Sequence, residues 1–87
     1  MRWIVRASHD AQKALARADG KDRKYLKAAL KQLESDALAG DIQRLKNERA
    51  AFRRRVGNWR IFFDLYPDTF TVHVVAIERR TTTTYGR

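Results

Sequence analysis

The sequence has no cysteine, a single proline and only four glycines. Without thiols it cannot form a disulfide framework, a thiolate metal site or a cysteine nucleophile, and we expect it to work in the reducing cytoplasm. It also lacks an apolar run of the length that a bilayer requires, and its first residues contain no apolar segment typical of secretory signals. We therefore expect neither export nor a membrane-spanning segment.

Metal-ligand spacing is also missing. The two histidines, His9 and His73, are far apart in sequence, and the carboxylates are scattered. Zinc and similar ions are usually held by histidine, cysteine or carboxylate ligands at short, regular spacings. We therefore expect no metal and no other cofactor.

Positive charge, in contrast, is in large excess. Nineteen Lys and Arg residues stand against ten Asp and Glu, for a net charge of +9. The excess is concentrated in residues 44–60, where Glu48 is the single acid. The basic residues of this stretch are Arg44, Lys46, Arg49, Arg53, Arg54, Arg55 and Arg60. Such a cluster predicts a polyanionic partner, an acidic protein partner, or both.

The N-terminal half of the chain alternates between strand and helix signals. A strand is expected over Arg2 to Arg6, followed by a helix that Ser8 or Asp10 caps and that ends at Asp19-Gly20. A second, longer helix is expected from a cap at Asp22 to Gly40, forming an antiparallel hairpin with the first. From Asp41 to Ala51 no regular element is predicted.

The C-terminal half is typical of a three-stranded antiparallel meander. The strands are predicted over Phe52 to Val56, Trp59 to Tyr66 and Thr69 to Arg79, joined by turns at Gly57-Asn58 and Pro67-Asp68. With a hydrophobic fraction of 44% in 87 residues, we expect a single α+β domain over 1–87. Its helices would pack on one face of the sheet.

Two-residue turns would fix which side chains share a face. The first turn pairs Val56 with Trp59, Arg55 with Arg60, Arg54 with Ile61 and Arg53 with Phe62. The second places Phe70, Val72, Val74 and Ala76 on the core face with Trp59, Ile61, Phe63 and Leu65. The opposite face would then carry Arg53, Arg55, Arg60, Phe62, His73, Val75 and Ile77, with Arg79 arriving near Gly57. Arg54 falls on the core-facing side, where we expect its head to reach water at an edge.

Arginines directly opposite each other on two strands lower the stability by a few tenths to about 1 kcal/mol per pair, so we expect a favourable interaction that offsets this loss. A bound phosphate of a nucleic acid supplies one; the alternative is that these side chains simply extend into solvent.

For Trp3 and Trp59 a place in the core is favoured over base stacking. His73 is either an acid or base or a half-exposed strand residue.

Several of these segments resemble the RelE/ParE toxin superfamily. They are Arg44-Leu45-Lys46, the run from Phe52 to Phe63 (FRRRVGNWRIFF), Arg79-Arg80 and the late Tyr85. The resemblance implies a strand, a helical hairpin and an antiparallel sheet, and a toxin paired with an acidic antitoxin. In the RelE branch it implies an endoribonuclease that cuts messenger RNA in the ribosomal decoding site, whereas ParE-like members act on DNA gyrase.

The resemblance also implies roles for individual residues. Catalytic roles fall on Arg53, Arg55, Arg60, Arg79 and Tyr85, and this set favours the ribonuclease branch. RNA-binding roles are expected for Lys46, Arg49, Arg54, Arg80 and His73. Three residues remain candidates for the general base, because arginine essentially cannot lose its proton: Glu48, His73 and Tyr85. A gyrase-binding relative, a purely RNA-binding relative and a protein that docks only an acidic partner remain alternatives.

Overall fold

The computed structural model describes residues 2–46 and 49–80. Within them the chain forms two α-helices and five strands, which confirms the predicted α+β class. In chain order the elements are β1 (Ile4–Ala7), α1 (His9–Arg17), α2 (Gly20–Ser35), β2 (Asp41–Arg44), β3 (Phe52–Val56), β4 (Trp59–Tyr66), a 3-10 helix (Pro67–Thr69) and β5 (Thr71–Arg79). No helix in this described part is long and apolar enough to cross a bilayer.

The sheet has five strands in the order β1-β5-β4-β3-β2, so the predicted three-stranded meander is extended by the predicted N-terminal strand and by β2, which was not predicted. Strand β1 joins parallel to β5, with Ile4 opposite Thr71, and β2 joins antiparallel to β3, with Asp41 opposite Arg55. The prediction of no regular element after Asp41 was wrong because β2 is short, polar and on the edge. Its four residues show no hydrophobic alternation that would indicate a strand.

Both helices begin at side-chain caps. Ser8 caps α1 as predicted, since its Oγ accepts a 3.0 Å hydrogen bond from the Ala11 amide. Helix α2 is capped by Asp19, whose Oδ1 accepts from the Asp22 amide, rather than by Asp22, and it ends at Ser35 before the predicted Gly40. The Asp22 carboxylate instead accepts a 3.1 Å bond from Trp59 Nε1 and ties α2 to β4.

The core lies between the helices and one face of the sheet. Its fully buried large side chains are Leu26 and Leu33 of α2 and Ile61, Phe63, Val72 and Val74 of the sheet. Trp3 and Trp59 are half-buried and pack against this cluster, in agreement with the expectation of a core role. Because the helices cover this face, most polar and charged side chains of the sheet lie on its other face.

The β3–β4 hairpin has the predicted register. Val56 pairs with Trp59, and Arg55 pairs with Arg60, across the Gly57-Asn58 turn. Gly57 adopts a φ of +58°, a conformation that glycine reaches without steric cost. The pairing of Arg55 with Arg60, which was predicted from this turn, is therefore confirmed.

The β4–β5 pairing departs from the prediction because β5 contains a bulge. Phe62 pairs with Ala76 and Phe63 with Val74, so Val75 is an extra residue on β5. After the bulge the faces exchange: Ile77 is buried in the core, and Ala76 and Glu78 take the outer face. The predicted placement of Ala76 in the core and of Ile77 and Arg79 on the outer face was therefore wrong.

Ser8 holds the bulge in place. Its hydroxyl donates a 2.7 Å hydrogen bond to the Val75 carbonyl, and its amide donates a 2.9 Å bond to the Val74 carbonyl. A bulge leaves backbone groups without a ladder partner, and unpaired backbone groups are costly away from water. One serine therefore both caps α1 and satisfies the bulge.

The second predicted two-residue turn is longer. Residues 67–69 form a 3-10 turn, and Phe70 follows in the left-handed region with a φ of 50°. Phe70 does not join the core face; it remains 40% exposed and packs edge-on against Trp3, with ring centroids 5.4 Å apart.

Arg54 is buried under α2, contrary to the expectation that its head reaches water. Its Nη1 donates to the Ala29 carbonyl at 3.3 Å, and its Nη2 donates to Gln32 Oε1 at 2.5 Å. Burial lowers the pKa of this guanidinium, and the nearby Asp41 carboxylate acts in the opposite direction. The group still stays protonated at neutral pH, because arginine starts from so high a pKa.

Gly40 covers the Arg54 guanidinium with bare backbone. Its φ is +89°, and a Cβ built on it would lie 2.6 Å from both Cζ and Nε of Arg54. Replacing Gly40 with alanine should therefore lower the free energy of unfolding by about 1–3 kcal/mol, through backbone strain and a clash with Arg54. Urea unfolding measures the loss.

The matched control for Gly40→Ala is Gly20→Ala. A Cβ on Gly20, the first residue of α2, meets no heavy atom within 4 Å. Alanine there should leave the free energy of unfolding unchanged or raise it slightly. Equal stabilities of the two variants would contradict the close packing of Gly40 on Arg54.

Ser8→Ala should destabilise the protein more than the loss of an ordinary helix cap, because it also orphans the Val75 carbonyl. We expect a loss of about 2–4 kcal/mol in the free energy of unfolding, against about 1 kcal/mol for Asp19→Ala, which removes only the cap of α2. Ser8→Thr keeps a hydroxyl and should recover most of the loss. Equal losses for Ser8→Ala and Asp19→Ala would contradict the double role of Ser8.

Candidate nucleic-acid interface

The outer face of the sheet carries a shallow groove of about 390 Å³ near the β3–β4 turn. We call it the arginine groove. It is lined by Gln43, Leu45, Arg53, Arg55, Arg60, Phe62 and Arg80. Four guanidinium groups therefore line one concave surface that the helices do not cover.

Strand alternation brings three of these arginines together. Arg53 and Arg55 are two residues apart on β3 and share its outer face, and Arg60 pairs directly with Arg55 from β4. Arg55 is exposed, while Arg53 and Arg60 are half-buried. The fourth, Arg80, follows β5 and is held at the turn by a 2.5 Å bond from its amide to the Asn58 carbonyl.

Polar and acidic neighbours offset part of this repulsion. Gln43 Oε1 accepts a 2.7 Å hydrogen bond from Arg53 Nη2, and Asp41 pairs with Arg55 from the edge strand. Glu78 pairs with Arg60 across β4 and β5, and its carboxylate forms an ion pair with Arg49. Two acids against five arginines leave the surface strongly positive.

Phe62 forms the apolar floor of the groove. Although it lies on the outer face, only 8% of it is exposed. The Arg49 guanidinium covers its ring at 4.8 Å from the centroid, a cation–π contact that also holds Arg49 beside Glu78. Segment 49–51 is tied to the sheet again by a 2.7 Å bond from the Ala51 amide to Asp64 Oδ1.

Arg79 does not join the arginine groove. It pairs with Trp59 and lines cavities on the helix-covered side together with Asp22. The expectation that Arg79 completes the outer cluster was wrong because the bulge at Val75 turns it to the other face. Arg80, predicted only as an RNA-binding residue, lies in the groove in its place.

The remaining predicted site residues are dispersed. His73 lies on the outer face beyond the bulge, between Asp64 and Arg6, and does not line the groove. Lys46 is exposed just after β2. Arg54 is bound under α2, so the structure removes it from the surface where RNA binding was expected. Tyr85 and Glu48 lie outside the described residues.

Sequence reasoning missed three residues of this surface: Gln43, Leu45 and Glu78. Gln43 and Leu45 belong to the edge strand β2 and the residue after it, for which no element was predicted. Glu78 was missed because strict alternation from Val72 puts it on the core face. Only the bulge, which the apolar run Val74-Val75-Ala76-Ile77 does not reveal, turns it outward.

The chemistry available in the groove is that of an anion clamp. Guanidinium groups donate two parallel hydrogen bonds to a phosphate and keep their charge at any physiological pH. A sheet holds these groups more rigidly than a loop would. Leu45 and the small exposed part of Phe62 are the apolar contacts that the groove offers to a sugar or base beside the phosphate.

No family model matches this chain, and no curated protein matches its sequence. Solved structures do match. The RelE–RelB complex from the archaeon Pyrococcus horikoshii OT3 superposes with a TM-score of 0.82 at 16% identity, covering 94% of this chain and 99% of that one. The RelBE2 toxin–antitoxin complex from Mycobacterium tuberculosis gives 0.80 at 18% identity, covering 92% and 100%.

A third structure, the YoeB/ParE toxin from Agrobacterium tumefaciens, gives a TM-score of 0.74 at 13% identity, covering 90% of this chain and 99% of that one. These lengths match nearly end to end, so the likeness includes both helices and the whole sheet. At such low sequence identities, the structural similarity shows the fold alone. This chain has the fold of the RelE-like toxins, as the resemblance in its sequence predicted.

Proposed function

We propose that this protein is the toxin of a toxin–antitoxin pair and an endoribonuclease that cuts messenger RNA on the ribosome, in the cytoplasm. The arginine groove is the observation that carries the proposal. Arg53, Arg55, Arg60 and Arg80 converge on one concave, apolar-floored surface. Such convergence of like charge is unfavourable unless an anion binds there.

The reaction needs no group beyond RNA and protein. The 2′-oxygen of one nucleotide attacks its own 3′-phosphorus, the bond to the 5′-oxygen of the next nucleotide breaks, and a 2′,3′-cyclic phosphate and a 5′-hydroxyl result. Arginines of the groove stabilise the extra negative charge of the phosphorane and hold the attacking and leaving oxygens in line. Only RNA carries this nucleophile, which is why RNA is the proposed substrate rather than DNA.

The position of each arginine in the groove indicates its role in binding the phosphate. Arg55 and Arg60, directly opposed, suit the two non-bridging phosphate oxygens, and Arg53 and Arg80 flank them. We assign to Arg80, rather than to Arg79, the part that the resemblance gives to an arginine at the end of the last strand. Glu48 and Tyr85 stay candidates for proton transfer, since His73 does not line the groove.

The antitoxin partner is proposed on two grounds. Similar structures from Pyrococcus horikoshii and Mycobacterium tuberculosis are complexes with an antitoxin. The net charge of +9 also suits an acidic protein. Such a partner would neutralise the groove if it covered the arginines.

Arg60→Ala should abolish most messenger-RNA cleavage while the protein still folds. Loss of one preorganised charge contact to the transition state costs about 100- to 1,000-fold in rate. Primer extension on messenger RNA after induction measures the cuts, and circular dichroism checks the fold. The matched control is Arg2→Ala, which removes the same charge from an exposed residue at the other end of the sheet.

Wild-type cutting by Arg60→Ala would contradict the proposed site. Growth arrest by the wild-type protein with no cut in any messenger RNA would contradict the ribonuclease itself. In that case supercoiling assays with DNA gyrase would test the ParE-like alternative.

Glu78→Gln should strengthen RNA binding. Its carboxylate forms an ion pair with Arg49, and Glu78 is the cross-strand neighbour of Arg60, so its removal frees Arg49 and takes a negative charge away from Arg60. For a partly exposed pair we expect about a 2- to 5-fold lower Kd for a non-cleavable 2′-O-methyl RNA, with a steeper salt dependence. Asp68→Asn, in the exposed 3-10 turn, changes the net charge equally and should have a smaller effect. Equal effects would mean that net charge alone is responsible.

A further inference from the structure

A second concave surface lies across the β3–β4 turn from the arginine groove. This cavity of about 400 Å³ is on the helix-covered side of the sheet, and we call it the turn cavity. Its principal lining residues are Asp22, Tyr25, Val56, Asn58, Trp59 and Arg79. None of them lines the arginine groove, so the proposed cleavage chemistry does not account for this surface.

We propose that the turn cavity is a second nucleotide-binding site, which stacks a base of the same RNA strand whose phosphate lies in the arginine groove. The inference rests on the proposed function and adds to it. It assigns to Tyr25 and Arg79 the binding of a nucleotide further along the strand than those that flank the cleaved phosphate. The ligand is a nucleobase of single-stranded RNA.

Tyr25 is the aromatic residue of the cavity that is suited to stacking. Tyr25 on α2 is 57% exposed, although an aromatic ring of that size is normally placed where it can be covered. Trp59 is fixed by its 3.1 Å hydrogen bond to Asp22, so its ring does not have to be ordered on binding. Exposed aromatic rings beside basic residues are the usual platform for single-stranded nucleic acid.

The polar groups of the cavity fit a base better than a bare anion. Arg79 supplies donors, and Asp22 supplies acceptor oxygens, on the same surface. A carboxylate disfavours a free phosphate, whereas a base edge offers both donors and acceptors. Arg79 is exposed, and among residues 2–46 and 49–80 its side chain forms no ion pair.

The two surfaces share one wall, and consecutive residues supply both sides of it. Arg80 lines the groove and Arg79 the turn cavity; Arg60 lines the groove and Trp59 the turn cavity. Between them the wall is the Gly57-Asn58 turn, where even an added Cβ on Gly57 would meet no atom within 4 Å. An RNA strand that leaves the groove can therefore cross this turn and enter the cavity.

The test compares two lengths of 2′-O-methyl RNA, which cannot be cleaved because the nucleophile is blocked. A tetranucleotide is short enough to occupy the groove alone, and a decanucleotide reaches both surfaces. Fluorescence anisotropy measures both affinities. Tyr25→Ala should weaken decanucleotide binding by roughly 5- to 150-fold, the usual effect of losing one base-stacking ring, and should leave the tetranucleotide unaffected.

The matched control is Tyr66→Ala. Tyr66 is also about half exposed, but it lies at the other end of β4, opposite Thr71. This variant should bind both lengths like the wild type. Equal weakening by Tyr25→Ala and Tyr66→Ala would overturn the proposal, because it would mean that any exposed tyrosine contributes.

A second measurement does not depend on the Tyr25 variant folding. In a Trp3→Phe protein, Trp59 is the single tryptophan, and the decanucleotide should quench its fluorescence while the tetranucleotide should not. Decanucleotide binding that is weakened by Arg60→Ala, without Trp59 quenching and without an effect of Tyr25→Ala, would overturn the second site alone. Binding that Arg60→Ala does not weaken would instead contradict the proposed function.

Discussion

The hydrogen bond from the Ser8 hydroxyl to the Val75 carbonyl is the interaction on which the functional surface depends. It stabilises a bulge near the middle of β5, and every residue after the bulge changes face. Without the extra residue Ile77 would leave the core. Burial of such a side chain is worth about 1.5–3 kcal/mol, so the core and the bulge support each other. The direction of Arg79 is therefore set by this packing.

The arginines near the turn differ in how deeply they are buried. Arg54 shares its strand with Arg53 and Arg55 but is turned inward, where the Ala29 carbonyl and Gln32 Oε1 accept hydrogen bonds from it and Gly40 covers it. A buried charge is tolerated only when it is hydrogen-bonded, and here the bonds join β3 to α2. Arg53 and Arg55 remain on the outer face. One run of three arginines thus supplies both a structural tie and part of a binding surface.

The sequence predicted the structure well where the determinants are local. The β3–β4 register follows from Gly57-Asn58 and from alternation, and Ser8 followed by a helical run defines the start of α1. The edge strand β2 could not be predicted, because one apolar residue among four carries no periodic signal and the pairing of β2 with β3 is a tertiary event. The resemblance to RelE-like toxins indicated the fold that these local signals leave open.

The candidate site was predicted only in part, because some of its residues are positioned by local signals and others by contacts that are distant in sequence. The pairing of Arg55 with Arg60 needs only the turn, whereas the position of the last-strand arginine needs the bulge. Between Val74 and Ile77 every side chain is apolar, so the sequence does not show which of them face the core. The hydrogen bond from Ser8, nearly seventy residues earlier in the chain, stabilises the bulge that determines which side chains do so. Because the bulge sends Arg79 and Arg80 to opposite sides of the turn, positive charge surrounds the end of the hairpin. A binding surface that continues around this end suits a flexible single strand better than a rigid duplex.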